Sequence, residues 1–218
     1  MVLLCLFGLC ALPKGASADI IQRSYQGTFT TDDEIHTFSF VLATTSRVYV
    51  QSLGYGGGTN IGGTAISSGG FASALWLFNS GGNLIADDNA GGTVGNCGRR
   101  QGDPSAFPSN ACFDAYIPLS AGAGAGVNLL PGSYTVDLTQ QGNDLNGTTL
   151  SSGFSQAGQG NYTGGPFIDP FGNQRDGHFA VDIVGVDAPE PATLPTILLS
   201  LVVLGFVYKR FSPSSQNS

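Results

Sequence analysis

The sequence predicts an all-β fold, an antiparallel β-sandwich of jelly-roll type with about eight strands. Three observations lead there. Apolar and polar residues alternate with a period of two in run after run between Asp19 and Asp187. Turn-forming pairs separate those runs, as expected for a chain with 33 glycines. No stripe of helical spacing occurs in the same stretch, and only 11% of residues are charged, too few to solvate long exposed helices.

Each strand follows from its own pattern. In "EIHTFSFVL" one face carries His36, Phe38, Phe40 and Leu42. In "RVYVQSL" Val48 and Val50 oppose Tyr49, Gln51 and Leu53. "ALWLFN" is apolar on both faces, Leu75 and Leu77 against Trp76 and Phe78, which suits a central buried strand. "CFDAYIPL" aligns Phe113, Ala115, Ile117 and Leu119. "GSYTVDLTQ" aligns Tyr134, Val136 and Leu138, and "HFAVDIVGV" aligns Phe179, Val181 and Ile183. "NSGGN" at 79–83 has hairpin chemistry, placing Trp76 and Leu84 on neighbouring antiparallel strands. Pro131-Gly132 is a turn pair ahead of another strand. Two long glycine-rich loops, 54–70 and 143–176, have the composition of mobile segments.

Composition also excludes functions. The whole chain has a net charge of −7. Between Asp19 and Asp187 there are 14 acids against 5 arginines, a net −9. Such a surface repels phosphate backbones, so no nucleic-acid partner is expected. A hydrophobic fraction of 41% with 14 Phe and 7 Tyr argues against disorder throughout.

The two ends read as addresses. "MVLLCLFGLCALPKGASAD" has an apolar stretch from Val2 to Leu12 and the small-x-small triplet Ala16-Ser17-Ala18, the pattern of a secretory signal cut after Ala18. At the other end, Leu194 to Tyr208 is apolar apart from Thr196 and Ser200, and the run is counted from Ala192. Its length of about 17 residues sits at the lower edge for a spanning helix. Lys209 and Arg210 then remain cytoplasmic under the positive-inside rule, with the main domain outside. The expected organisation is a signal peptide at 1–18, a β-sandwich ectodomain at 19–187, a sorting segment with its transmembrane helix at 188–211, and a tail at 212–218.

Pro189-Glu190-Pro191, the short apolar helix and the basic pair Lys209-Arg210 together resemble the PEP-CTERM sorting signal of Gram-negative bacteria. The resemblance implies an exosortase-type membrane peptidase as partner, membrane residence before processing, and a surface or extracellular destination. The ectodomain, through "GGFASALWLFNSGGNLIADDN", "DAYIPLSAG", "LLPGSYTVDLTQQGND" and "GNQRDGHFAVDI", is similar to β-sandwich ectodomains that accompany such signals. Those are related in style to bacterial pre-peptidase C-terminal domains. That second likeness implies fold and carries over no catalytic residue.

Chemistry-bearing motifs are few. His36 and His178 lie in no metal-binding spacing, and His36 fits a structural strand position. Gly153-Phe154-Ser155-Gln156-Ala157-Gly158 misses the nucleophile-elbow pattern by one residue and lacks its strand-turn-helix setting. Loss of the signal peptide leaves Cys97 and Cys112, an even number in an exported chain, which suggests one disulfide. Asp87, Asp88 and Asn89, with Asp114, form a candidate calcium set, because Ca²⁺ accepts several oxygens on loops; a solvated Asx turn is the simpler account. No other cofactor is expected. The functional expectation is therefore a non-enzymatic structural or binding protein of the cell surface or matrix, linked to exopolysaccharide or biofilm. The alternatives are a secreted carbohydrate-active enzyme or a carbohydrate-binding module stacking sugars on Trp76, Tyr55 or Tyr162.

Overall fold

The strands that alternation predicts form two antiparallel sheets facing one another across an apolar core. The computed structural model describes residues 20–89, 113–117 and 127–187. The strands are β1 (Ile20–Thr28), β2 (Ile35–Leu42), β3 (Ser46–Leu53), β4 (Gly58–Thr59), β5 (Ala65–Ile66), β6 (Ser73–Asn79), β7 (Leu84–Asn89), β8 (Tyr116–Ile117), β9 (Val127–Leu129), β10 (Gly132–Gln140) and β11 (His178–Asp187). Among the described residues one 3₁₀ turn covers Leu150–Ser152. The first sheet has the order β1-β11-β3-β8, with β9 also on β3; the second runs β2-β10-β6-β7. Strands β4 and β5 make a separate two-stranded ribbon. The residues Asp19–Asp187 cluster as one compact unit.

Registers explain the core. Paired residues in an antiparallel ladder point to the same side. His36, Phe38 and Phe40 lie opposite Leu138, Val136 and Tyr134. Those three in turn lie opposite Leu75, Leu77 and Asn79. From the other sheet come Val48, Val50, Phe179, Val181 and Ile183. All of these apolar residues but the half-buried Phe38 are buried. Phe113, Ala115 and Ile117 join the same core, as their spacing predicts. Strand β6 is buried on both faces: Leu75 and Leu77 enter this core, while Trp76 and Phe78 enter a second cluster with Phe154 on the outer side. The hairpin at 79–83 closes β6 onto β7, with Gly82 at φ 73°, a conformation that favours glycine.

Strand β1 carries the weakest alternation. It pairs with β11 in register, so Arg23 and Gly27 share the inward face with Ile21 and Tyr25, opposite Ile183 and Phe179. The Phe179 ring lies over Gly27, where a Cβ would come within 2.7 Å of it. An arginine and a glycine on the core face of an edge strand hide its period.

The long loops are tied down rather than loose. Loop 143–176 folds back over the second sheet, where Phe154 meets the Trp76 ring edge-on at 5.9 Å. Isolated bridges link Leu145 to Phe154, Asn83 to Thr149 and Ile168 to Gln174. Loop 54–70 contains the β4–β5 ribbon and is pinned by Gly69 and Gly70 amides on the Tyr55 and Gly54 carbonyls. Composition does not reveal these backbone hydrogen bonds and bridges, which hold both loops to the rest of the domain.

Among the described residues no helix is long and apolar enough to cross a membrane. The expected signal peptide, the disulfide pair Cys97 and Cys112, and the sorting residues Pro189, Glu190, Pro191, Lys209 and Arg210 all lie outside the described residues.

Candidate functional site

The acidic residues singled out by sequence do not converge. Asp87 and Asp88 are successive on β7, and side chains alternate across a strand. Asp87 lies opposite Trp76 on the outer face, whereas Asp88 lies opposite Leu75 on the core face. Asp88 is buried and accepts the Tyr116 amide at 2.7 Å, joining the edge of one sheet to the edge of the other. Burial pushes its carboxyl up to about 6, against the pull of that amide. Asn89 gives its amide to Asp144 at 2.6 Å. Asp114 sits between the inward-facing Phe113 and Ala115 and therefore points the other way. It accepts the Tyr55 amide at 3.0 Å and the Gly56 amide at 2.8 Å. Among the described residues no group of three or more carboxylate, histidine or cysteine side chains is placed to hold a metal ion. Asp88, Asn89 and Asp114 are each engaged separately, with Tyr116, Asp144 and the Tyr55–Gly56 turn.

Asp114 is the most perturbed acid. Its burial raises the carboxyl to about 7; the turn amides and His178 only partly oppose this. It fixes the turn that begins loop 54–70. Gly70 packs there against the His178 carbonyl so closely that any Cβ would collide with it.

Sequence reasoning missed the strongest polar cluster. Tyr55, buried, donates its hydroxyl to Asp169 at 2.9 Å. Arg175 meets the same carboxylate through Nη2 at 2.9 Å and Nε at 3.0 Å. It also donates to the Tyr55 oxygen at 2.7 Å, with its guanidinium carbon 4.0 Å from the Tyr55 ring centroid. Asp169 further accepts the Phe171 and Asn173 amides. Burial would raise Asp169, yet the Asn173, Tyr55 and Arg175 donors outweigh it and hold the carboxyl at about 2. Burial and the Asp169 carboxylate push the Tyr55 phenol up to about 12. The only hint in the sequence was one arginine near one aspartate in an otherwise arginine-poor domain.

Two further buried carboxylates act similarly. Asp182 accepts Ser24 at 2.7 Å, Gln51 at 3.0 Å and the Ile61 amide at 3.0 Å. Asp32 accepts the Thr163 amide at 3.1 Å and the Thr163 hydroxyl, holding loop 143–176 to the β1–β2 connection.

The other singled-out residues have structural partners. The His36 ring stacks on Phe29 at 4.5 Å and approaches Glu34 at 3.5 Å. His178 contacts Asp176 and the Ser67 carbonyl. Ser155, the near-miss nucleophile, donates to the Gly142 carbonyl and accepts the Asp144 amide at 3.0 Å. Trp76 and Tyr55 are 6% and 5% exposed, too little to stack a sugar. Tyr162 is half-buried, with its hydroxyl on the Gln140 and Gln141 carbonyls.

One open cleft of about 800 Å³ lies on the outer side of the second sheet. Asn79, Ser80, Ser133, Thr135, Thr149 and Ser151 are among the residues that line it, with no charged or aromatic side chain in the lining. Comparison with protein-family models finds none that matches this chain, and comparison with curated proteins finds no matching relative.

Proposed function

We propose that this chain is an exported scaffold protein of the cell surface or extracellular matrix, delivered through a PEP-CTERM signal and working in an exopolysaccharide or biofilm setting. The scaffold role rests on one observation above all. Asp32, Asp88, Asp114, Asp169 and Asp182 are buried, and each accepts hydrogen bonds that tie a loop or an edge to another part of the domain. Carboxylates spent this way make a rigid, protease-resistant body. The export and sorting part rests on the order Pro189-Glu190-Pro191, apolar run, Lys209-Arg210. The partners are an exosortase-type membrane peptidase, then matrix polysaccharide. Cys97 and Cys112 are read as one disulfide formed after export.

Jelly-roll topology is the finer reading of the fold. Strands β8 and β9 pair with successive parts of β3, at Gln51–Val50 and at Val48–Ser46. Taken as one interrupted edge strand, they give four strands in each layer, with β1-β11-β3-β8/β9 against β2-β10-β6-β7. That alternation of chain order between layers is the pattern expected of two nested Greek keys.

The test is intact-mass analysis of protein from the exporting host. Loss of the residues after about Pro191 and of those before Asp19 is the expected outcome. Full-length chain in the extracellular fraction overturns the sorting route.

A second reading is favoured by the hydroxyl-lined cleft, where a neutral polysaccharide would meet side-chain hydroxyls and amides instead of an aromatic platform. Co-sedimentation of wild type and variant with matrix polysaccharide tests whether the cleft is where it binds. Binding that is lost in Thr135→Trp, which fills the cleft, supports it, and unchanged binding in that variant removes the cleft from consideration.

A further inference from the structure

The domain contains two Asn-x-Thr triplets, Asn146-Gly147-Thr148 and Asn161-Tyr162-Thr163. This triplet is the acceptor pattern for N-linked glycosylation of exported chains. We propose that Asn146 is an N-glycan acceptor in the folded protein and that Asn161 is not. The inference rests on the export reading, because the transferase and its lipid-linked donor act on exported chains.

The chemistry sets the structural requirement. The sugar arrives joined through its anomeric carbon to a lipid diphosphate. The side-chain nitrogen of asparagine forms the new bond to that carbon. The carbon–oxygen bond to the diphosphate breaks, the diphosphate leaves with the electron pair, and one amide proton passes to a base of the transferase. The enzyme must hold the asparagine amide and the threonine hydroxyl together. Both groups therefore need to be accessible and unengaged.

Asn146, Gly147 and Thr148 are all exposed. They form the tip of an excursion whose sides are joined by the Leu145–Phe154 bridge. The backbone is anchored by the Asn146 amide on the Gly153 carbonyl at 2.9 Å and by the Leu84 amide on the Thr148 carbonyl at 2.9 Å. Neither the Asn146 side chain nor the Thr148 hydroxyl is used by these anchors. Presenting the triplet disturbs these two backbone hydrogen bonds.

The second triplet is engaged at each of its residues, although Asn161 itself is exposed. The Asn161 side-chain oxygen accepts the Asp32 amide at 3.3 Å. The Thr163 hydroxyl lies against the fully buried Asp32 carboxylate and 2.7 Å from the Gly165 carbonyl, its one proton shared between them, and accepts the Ile168 amide at 3.0 Å. The Tyr162 hydroxyl between them holds two more carbonyls. Lifting this triplet out strips a buried carboxylate of its donors, which is far costlier than opening a surface turn.

The experiment incubates the purified full-length chain, folded, with an oligosaccharyltransferase and an oligosaccharide linked to a lipid diphosphate. Glycopeptide mapping then reads both sites. A parallel reaction uses the same chain unfolded in denaturant and diluted into the assay. The expected result is occupancy at Asn146 at least about tenfold above Asn161 in the folded chain, and both sites modified in the unfolded one. Asn146→Gln and Thr148→Ala abolish the modification of the folded chain, while Asn161→Gln leaves it unchanged. Folded chain that stays unmodified when the unfolded chain is modified at Asn146 overturns the proposal, as does equal occupancy at the two sites. The assay needs no export, so its failure is distinct from a failure of the sorting reading.

Discussion

Asp114 and Asp169 occupy two turns that meet on the same residue. Tyr55 gives its backbone amide to Asp114 and its hydroxyl to Asp169. Both carboxylates are buried, at 2% and 3% exposure. Burial nevertheless pushes Asp114 up to about 7, while Asp169 is held down at about 2. The difference is in the donors. Asp169 is met by the Asn173 amide and side chain and then by Tyr55 and Arg175, whereas Asp114 is met chiefly by backbone amides, with His178 as a weaker influence. Burial alone does not say whether an acid in this domain is charged; the neighbouring donor decides.

The two sites consequently pull stability in opposite directions with pH. Asp169 has a folded value below the ordinary 3.8, so its contribution is present above 3.8 and is lost as pH falls towards about 2. Asp114 has a folded value above 3.8, so its contribution is full below 3.8 and is lost as pH rises to about 7. Arg175→Ala breaks the comparison most severely. It leaves Asp169 buried without its cation, and we expect a loss of about 3 kcal/mol at neutral pH in chemical denaturation. The Asp169 carboxyl should then titrate well above its present value, as read by carboxyl NMR. An unchanged denaturation midpoint would mean that the guanidinium contributes nothing beyond what water supplies.

The next largest effect is expected at the other carboxylate. Asp114→Asn replaces two acceptor oxygens by one, leaving either the Tyr55 or the Gly56 amide facing another donor. The cost is about 2 kcal/mol, from one unsatisfied buried N–H. It should be greatest at low pH, where wild type keeps its full contribution, and should shrink as pH approaches about 7. A cost independent of pH would show that Asp114 does not titrate in this window.

The sheets were legible because alternation reports which side of a strand meets the core. Phe38, Phe40, Val136, Leu138, Val181 and Ile183 were aligned on single faces by spacing alone, and those faces meet the core, with Phe38 half-buried at its margin. Strand β1 was illegible because Arg23 and Gly27 occupy its inward face. The polar ties were illegible for a different reason. Asp114 and Tyr55 are 59 residues apart, and Tyr55 and Asp169 are 114 apart. No local pattern records which turn folds onto which. Asp87 and Asp88 were read as loop ligands, whereas β7 runs on through Asn89, so the two point to opposite sides of the sheet.

Tyr55→Phe gives the smallest effect and the sharpest division between the two sites. Phenylalanine keeps the backbone amide and the ring, so Asp114 retains its donor at residue 55 and Arg175 retains an aromatic face to lie on. Only the hydroxyl goes. Asp169 loses one donor and Arg175 loses one acceptor, while the Arg175–Asp169 pair itself remains. The expected cost is about 1 kcal/mol, typical of one buried hydrogen bond in a network that still has its charges paired. Carboxyl NMR should show Asp169 titrating at higher pH than in wild type, because a donor that favoured its charged form is gone. Asp114 should titrate where it did before. Equal movement of both carboxyls would mean that the two turns form one electrostatic unit joined through the Tyr55 side chain. Movement of Asp169 alone would establish that they share only its backbone.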